Sequence, residues 1–155
     1  MGAQIRLATE KDLQAAFKLM ADLGYSDLSL ARFAETYHAV REHPAMLVIV
    51  AENENEQVIG LASISRRPQL RLTGNLVTID EFVIAHEARG KGVGRELLKG
   101  AIAMARKLGA RRLELETNRA RESYRREFYV KNGFDEADSA VMRIDYELPE
   151  GEGKR

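Results

Sequence analysis

The sequence predicts a layered α+β domain built on a mixed sheet, and three observations point to it. Apolar residues recur first at strand and then at helix spacing along the chain, giving the order β-α-α-β-β-β-α-β-α-β-β. A strand rich in β-branched residues runs straight into a glycine-rich turn, and a helix follows at once. The 155 residues are enough for one domain with one core. We read that domain as residues 1–148, with 149–155 as a polar tail.

Each element has a local reason. Ile5-Arg6-Leu7 forms a short first strand, and Thr9 to Asp12 resembles a capping box with an acid three residues after the N-cap. Leu13, Phe17, Met20 and Leu23 follow at helical spacing, and Gly24 ends that helix. A second helix starts near Ser29, places Leu30, Phe33, Tyr37 and Val40 on one face, and stops before Pro44. Strands Met46–Glu52 and Val58–Arg66 are joined by the polar hairpin loop Asn53–Glu56, and Pro68–Gly74 is a longer connection. Leu76–Ile84 is the strand that enters the glycine turn. Leu97, Leu98, Ala101, Ile102, Ala105 and Leu108 mark an amphipathic helix closed by Gly109, and Arg112–Thr117 alternates as a strand. A helix over Glu122–Lys131, capped by Gly133, precedes a terminal strand pair at Phe134–Glu136 and Ala140–Glu147.

Composition narrows the chemistry. Lys plus Arg and Asp plus Glu are both 24, so no net field recruits nucleic acid or an anionic membrane, and neither is expected as a partner. The absence of cysteine removes disulfides, thiolate catalysis and cysteine-rich zinc sites. His38, His43 and His86 are too far apart in sequence to suggest a metal site, so no metal is expected. Met1 to Arg6 contains no apolar signal segment, and Ala45–Ala51 is too short to span a bilayer. A soluble cytoplasmic protein is the expectation.

The informative stretch is Phe82-Val83-Ile84 followed by Arg89-Gly90-Lys91-Gly92-Val93-Gly94-Arg95. A glycine turn opening a helix presents backbone N–H groups where the macrodipole favours negative charge, so a pyrophosphate is the natural guest. Arg89, Lys91 and Arg95 would add charge-assisted contacts. A Walker loop fails because Gly92, not Ser or Thr, follows Gly90-Lys91. A Rossmann fingerprint fails because the glycines are spaced GxGxG and the turn lies past mid-chain. The acyl-CoA turn Q/R-x-x-G-x-G/A is matched by Arg89 to Gly94 at every fixed position.

With these residues, and with Phe128-Tyr129-Val130-Lys131-Asn132-Gly133-Phe134 near the C-terminus, the chain resembles the GCN5-related N-acetyltransferase (GNAT) superfamily over nearly its whole length. The resemblance implies a three-layer α/β/α domain whose mostly antiparallel sheet is splayed at an acetyl-CoA site. It implies acetyl-CoA as cosubstrate, with pantetheine paired to the backbone of Phe82, Val83 and Ile84, and a backbone N–H facing the thioester oxygen. It also implies transfer to a primary amine of a small molecule or peptide, directly in a ternary complex, with Tyr129 as general acid. Its acidic counterpart falls at Asp80, where relatives often carry Glu. Here the shorter acid has Glu81 beside it, and both are catalytic candidates.

Alternatives remain at this level. Adjacent strand residues point to opposite faces unless a bulge intervenes, so Asp80 and Glu81 cannot be ranked. Glu114 and Glu116 share a face of the next strand and are further base candidates, while each acid taken singly reads more simply as solvated or ion-paired. Arg111, Arg112, Arg119, Arg121, Arg125 and Arg126 read as a solvated face balanced by nearby glutamates. Asn118 is a weak candidate, and His43 and His86 are loop residues. A non-catalytic acyl-CoA sensor would keep the glycine turn while Tyr129 and the acids pack. A homodimer is left open.

Overall fold

The computed structural model describes residues 2–148. The tail assigned to 149–155 lies outside the described residues. The chain divides into two compact units at the Leu115–Glu116 junction.

The first unit is a five-stranded sheet in the order β1-β2-β3-β4-β5: β1 Gln4–Leu7, β2 Met46–Glu52, β3 Val58–Gln69, β4 Gly74–Ile84 and β5 Ala110–Leu115. The first four strands are antiparallel neighbours, and β5 lies parallel to β4 after a helical crossover. Helices α1 (Leu13–Leu23) and α2 (Leu30–Glu42) cover one face, where Ala16, Leu19, Met20 and Tyr37 pack with Val48, Val50, Leu61 and Val83. Helix α3 (Val93–Lys107) covers the other, burying Leu97, Leu98, Ala101 and Ala105. Strand alternation sends Ile49 to the α3 side between Val48 and Val50. Gly100 permits that approach, because a Cβ there would stand 2.9 Å from Ile5 Cγ2. The expected mixed-sheet α+β fold is therefore present.

The capping box forms as read, with the Thr9 amide donating to Asp12 Oδ2 at 2.7 Å, and a single 3₁₀ turn at Glu10–Asp12 leads into α1. Asp12 also takes two hydrogen bonds from Arg6, at 2.8 and 3.0 Å, while Arg6 reaches Glu52 at 2.7 Å. This charged triad ties β1, the start of α1 and the end of β2, and Arg6 holds the Asp12 carboxyl below its usual range. Gly24 closes α1 in the left-handed region, and Ser29 accepts the Arg32 amide at the start of α2.

Three sequence expectations change. Pro68 lies inside β3, which continues to Gln69 opposite Gly74. The β2–β3 register ends at Ser65 and the Arg66 amide still reaches Ala45 O at 2.8 Å, so Pro68 lies past the end of the β2 ladder, where a missing N–H is tolerated. In the second unit the helix read over Glu122–Lys131 is two short ones, α4 (Glu122–Arg125) and α5 (Phe128–Lys131). Glu127 between them has φ 58, which interrupts the helical ladder. No strand is present at Phe134–Glu136 or Ala140–Glu147. Met142, Ile144 and Tyr146 alternate as a strand would and are exposed, so alternation alone does not make a strand.

Candidate active site

The turn after β4 is shaped by its backbone. A 3₁₀ turn at His86–Ala88 leads to extended Arg89, after which Gly90 (φ 76) and Gly92 (φ 84) take left-handed conformations and α3 begins at Val93. A Cβ on either glycine would meet nothing within 4 Å. Glycine is therefore needed for φ and not for packing, and the space over the turn is open. The first amides of α3, from Val93 onward, are N-terminal groups without intrahelical acceptors, as a bound diphosphate requires. The exposed Lys91 and Arg95 side chains stand beside this turn.

The Arg89 guanidinium is also engaged within the protein. Its Nε donates to Ile84 O at 3.0 Å and its Nη2 to Asp22 O at 2.9 Å, tying the turn to the end of β4 and to α1. Lys91 Nζ donates to Glu87 O at 3.2 Å. The guanidinium thus shapes the cradle, and the turn's backbone faces the open space.

Immediately before the turn, β4 loses one neighbour. Its pairing with β5 stops at Ile79–Leu115, whereas its pairing with β3 continues to Ile84. The β4–β5 ladder thus ends just before Asp80, where the resemblance expects the two strands to part.

The acids sit at this parting, on a bulge. Ser63 pairs with Glu81 and Ile64 with Ile79, so Asp80 is the extra residue. Glu81 meets Ser63 twice: its amide donates to Ser63 Oγ at 3.0 Å, and Ser63 Oγ donates in turn to Glu81 Oε2. Ser65, near enough to lower the Asp80 carboxyl, has its Oγ 3.4 Å from Thr78 Oγ1. Ser63 and Ser65 are two apart on β3 and share a face, so the bulge brings both acids to the face that also carries Leu61 and Val83 under α1. Burial pushes both carboxyls up. Ser63 opposes that shift at Glu81, and Ser65 and then Arg67 oppose it at Asp80. Asp80 keeps an exposed side, so water screens its shift, whereas Glu81 is half-buried.

Tyr129 belongs to the second unit. Its ring lies 5.1 Å from Phe128 and 6.1 Å from Phe134, and its carbonyl accepts the Phe134 amide at 3.1 Å, so the Phe-Tyr…Gly-Phe signature folds onto itself. Gly133 closes α5 with φ 98, the conformation expected of it. Burial raises the Tyr129 hydroxyl above its ordinary value, against the opposing effects of Arg121 and Ser123, which keeps it protonated at neutral pH.

Other candidates have structural work. Glu116 pairs with Arg143 at 3.0 Å, Arg119 with Glu136 at 3.2 Å, and Arg126 stacks 5.7 Å over Phe128. Asn118 Oδ1 accepts the Ala120 amide at 2.8 Å, and His43 Nδ1 accepts that of Ala45 at 3.0 Å. Glu114 lies on β5 opposite Thr78. Among the described residues no cluster of three or more His, Asp or Glu could hold a metal, and no helix is long and apolar enough to cross a membrane. Sequence reasoning missed Ser63 and Ser65, because a serine in an apolar strand carries no signal until the register is known.

Comparison with known proteins agrees with this geometry. The model of the acetyltransferase (GNAT) family matches residues 11–134. The chain is 28% identical over 134 residues to an aminoalkylphosphonate N-acetyltransferase of Salmonella typhimurium, covering 86% of each. A solved structure described as a transcriptional regulator from Bacillus halodurans superposes with a TM-score of 0.81 at 27% identity, covering 93% of this chain and 99% of that one. A GNAT family acetyltransferase of Staphylococcus aureus superposes at 0.76 over 93% of this chain and 99% of that one; at 22% identity it speaks for the fold alone.

Proposed function

The chain belongs to the acetyltransferase (GNAT) family and is an acyltransferase, and from that premise we propose that residues 1–148 act as one domain moving an acetyl group from acetyl-CoA to the primary amine of a small molecule. The observation that carries this reading is the conjunction, within the 15 consecutive residues Asp80 to Gly94, of a bulged acid pair at the end of the β4–β5 ladder and a glycine turn that opens α3. The amides of Val93, Gly94 and Arg95 with Gly90 and Gly92 would hold the diphosphate, Lys91 and Arg95 would add charge, and Phe82, Val83 and Ile84 would pair with pantetheine.

The chemistry then follows from what each group offers. A substrate ammonium gives a proton to a β4 carboxylate and becomes nucleophilic. Its nitrogen attacks the thioester carbon, and a backbone N–H on β4 stabilises the oxyanion. The C–S bond breaks, the nitrogen gives up its second proton to solvent to leave the amide, and the departing thiolate takes a proton from the general acid, the role that the resemblance gives to Tyr129, which would recover its proton from solvent. Transfer in a ternary complex is favoured because no cysteine exists to carry an acyl group.

The relative's named substrates pair an amine with an anionic group. Arg67, close enough to act on Asp80, offers a cation beside the acids for such a group, so aminoalkylphosphonates lead the acceptor panel. We place the activity in the cytoplasm, without nucleic-acid or membrane partners, in keeping with the neutral net charge.

The test is thiol release from acetyl-CoA over a panel of aminoalkylphosphonates, amino acids, amino sugars and peptide N-termini. The expected result is saturable turnover with a small amine. No saturable binding of acetyl-CoA, or binding without turnover on any amine, would end this reading.

A further inference from the structure

We propose that Ser63 is a positioning residue that makes Glu81, and not its neighbour Asp80, the proton-accepting carboxylate. The inference rests on the acetyl-transfer reading above and deepens it. Ser63 is 6% exposed, and its hydroxyl is held by the Glu81 amide on one side while it holds the Glu81 carboxylate on the other. One side chain therefore pins both the backbone of the bulge and the carboxylate that emerges from it. A base fixed at two points keeps one geometry toward an incoming amine, the condition under which proton transfer is efficient.

Asp80 differs in each respect. It is the extra residue of the bulge and has an exposed side. Its serine, Ser65, is shared with Thr78, and Arg67 already supplies it with a cation. At Glu81, among the described residues, the charge acting on the carboxyl is Asp80 on its own strand, and β3 presents the neutral Ser63. Helix α1, packed on β3 and β4, brings Lys18 and Asp22, which line a groove with Ala85 and Glu87 at the far end of β4 and do not shift Glu81. An ammonium arriving at Glu81 would supply a positive partner. Glu81 takes one proton from it and later returns that proton to solvent, while the amine keeps the lone pair that forms the amide.

Removing the Ser63 hydroxyl strips a half-buried carboxylate of its donor, so the Glu81 pKa rises further. In Ser63→Ala, ¹³C carboxyl NMR, assigned with Glu81→Gln, is expected to show Glu81 titrating about one pH unit higher than in the wild type. The acidic limb of kcat/KM for the amine is expected to move up by the same interval. At pH 7 kcat falls about tenfold, with KM for acetyl-CoA within about twofold, and Ser63→Thr restores the wild-type profile. An unmoved Glu81 titration in Ser63→Ala overturns the proposal and needs no turnover to be seen. So does an acidic limb that survives Glu81→Gln and vanishes in Asp80→Asn. A wild-type protein that binds no acetyl-CoA overturns instead the reading beneath it, and the two failures are told apart by calorimetry on the wild type.

Discussion

The two candidate regions, the acids near the end of β4 and the glycine turn that follows it, stand within ten residues of each other and are built on opposite principles. At Asp80–Glu81 side chains matter: a bulge aims them, and two serines of the neighbouring strand hold them. At Arg89–Gly94 side chains are nearly irrelevant to the shape that a ligand would meet. Two positive-φ glycines fold the backbone, and Arg89 braces it from behind through two carbonyls. The lesson is that a phosphate cradle depends on local conformation, whereas a proton acceptor depends on strand register. Damage to the first should show as lost affinity and damage to the second as lost turnover.

The largest effect is expected at the acids. Glu81→Gln should lower kcat by roughly 10² to 10⁴ while acetyl-CoA affinity holds within about twofold. Because burial raises the carboxyl, wild-type activity should rise with pH through a midpoint above the ordinary Glu value of about 4.3. It should be lost as pH falls through that midpoint, as pH–rate profiles will show. Next comes the cradle. Gly92→Val puts a β-branched residue at φ 84 and should weaken acetyl-CoA binding about a hundredfold by calorimetry. Unchanged affinity there would erase the contrast between the two regions.

Tyr129→Phe should reduce kcat about tenfold at constant affinity for acetyl-CoA. The effect is smaller than at Glu81 because a thiolate, with a parent pKa of about 8.5, leaves readily without help. The smallest functional effect belongs to Gly100→Ala. The added methyl stands 2.9 Å from Ile5 Cγ2 and should lower stability by about 1–3 kcal/mol in denaturant melts, with acetyl-CoA affinity of the folded protein unchanged. A glycine of α3 that alters binding as Gly92 does would show that packing, and not φ, governs the cradle.

Much of this was legible in advance because it is local. Thr9 and Asp12 close their capping box, Gly24 and Gly133 take the left-handed conformations expected of helix ends, and Gly90 and Gly92 do so at the turn. The aromatic signature around Tyr129 folds where its spacing suggested. The failures are those of neighbourhood. Pro68 reads as the start of a connection, yet it sits in β3, past the point where the β2 ladder ends. Glu127 lacks any residue-type signal for positive φ and still divides the helix. The terminal alternation of Met142, Ile144 and Tyr146 is not a strand.

The sequence by itself determined the cradle, since φ preferences and helix termini are properties of a few consecutive residues. It also determined that two acids would precede the cradle on one strand. Only tertiary structure decided that both acids share a face, that Ser63 grips Glu81, and that Arg89 turns to carbonyls. Each depends on which residues of distant strands and helices come to lie opposite one another. A single-residue shift in pairing would reverse the facing of a side chain without altering the sequence at all.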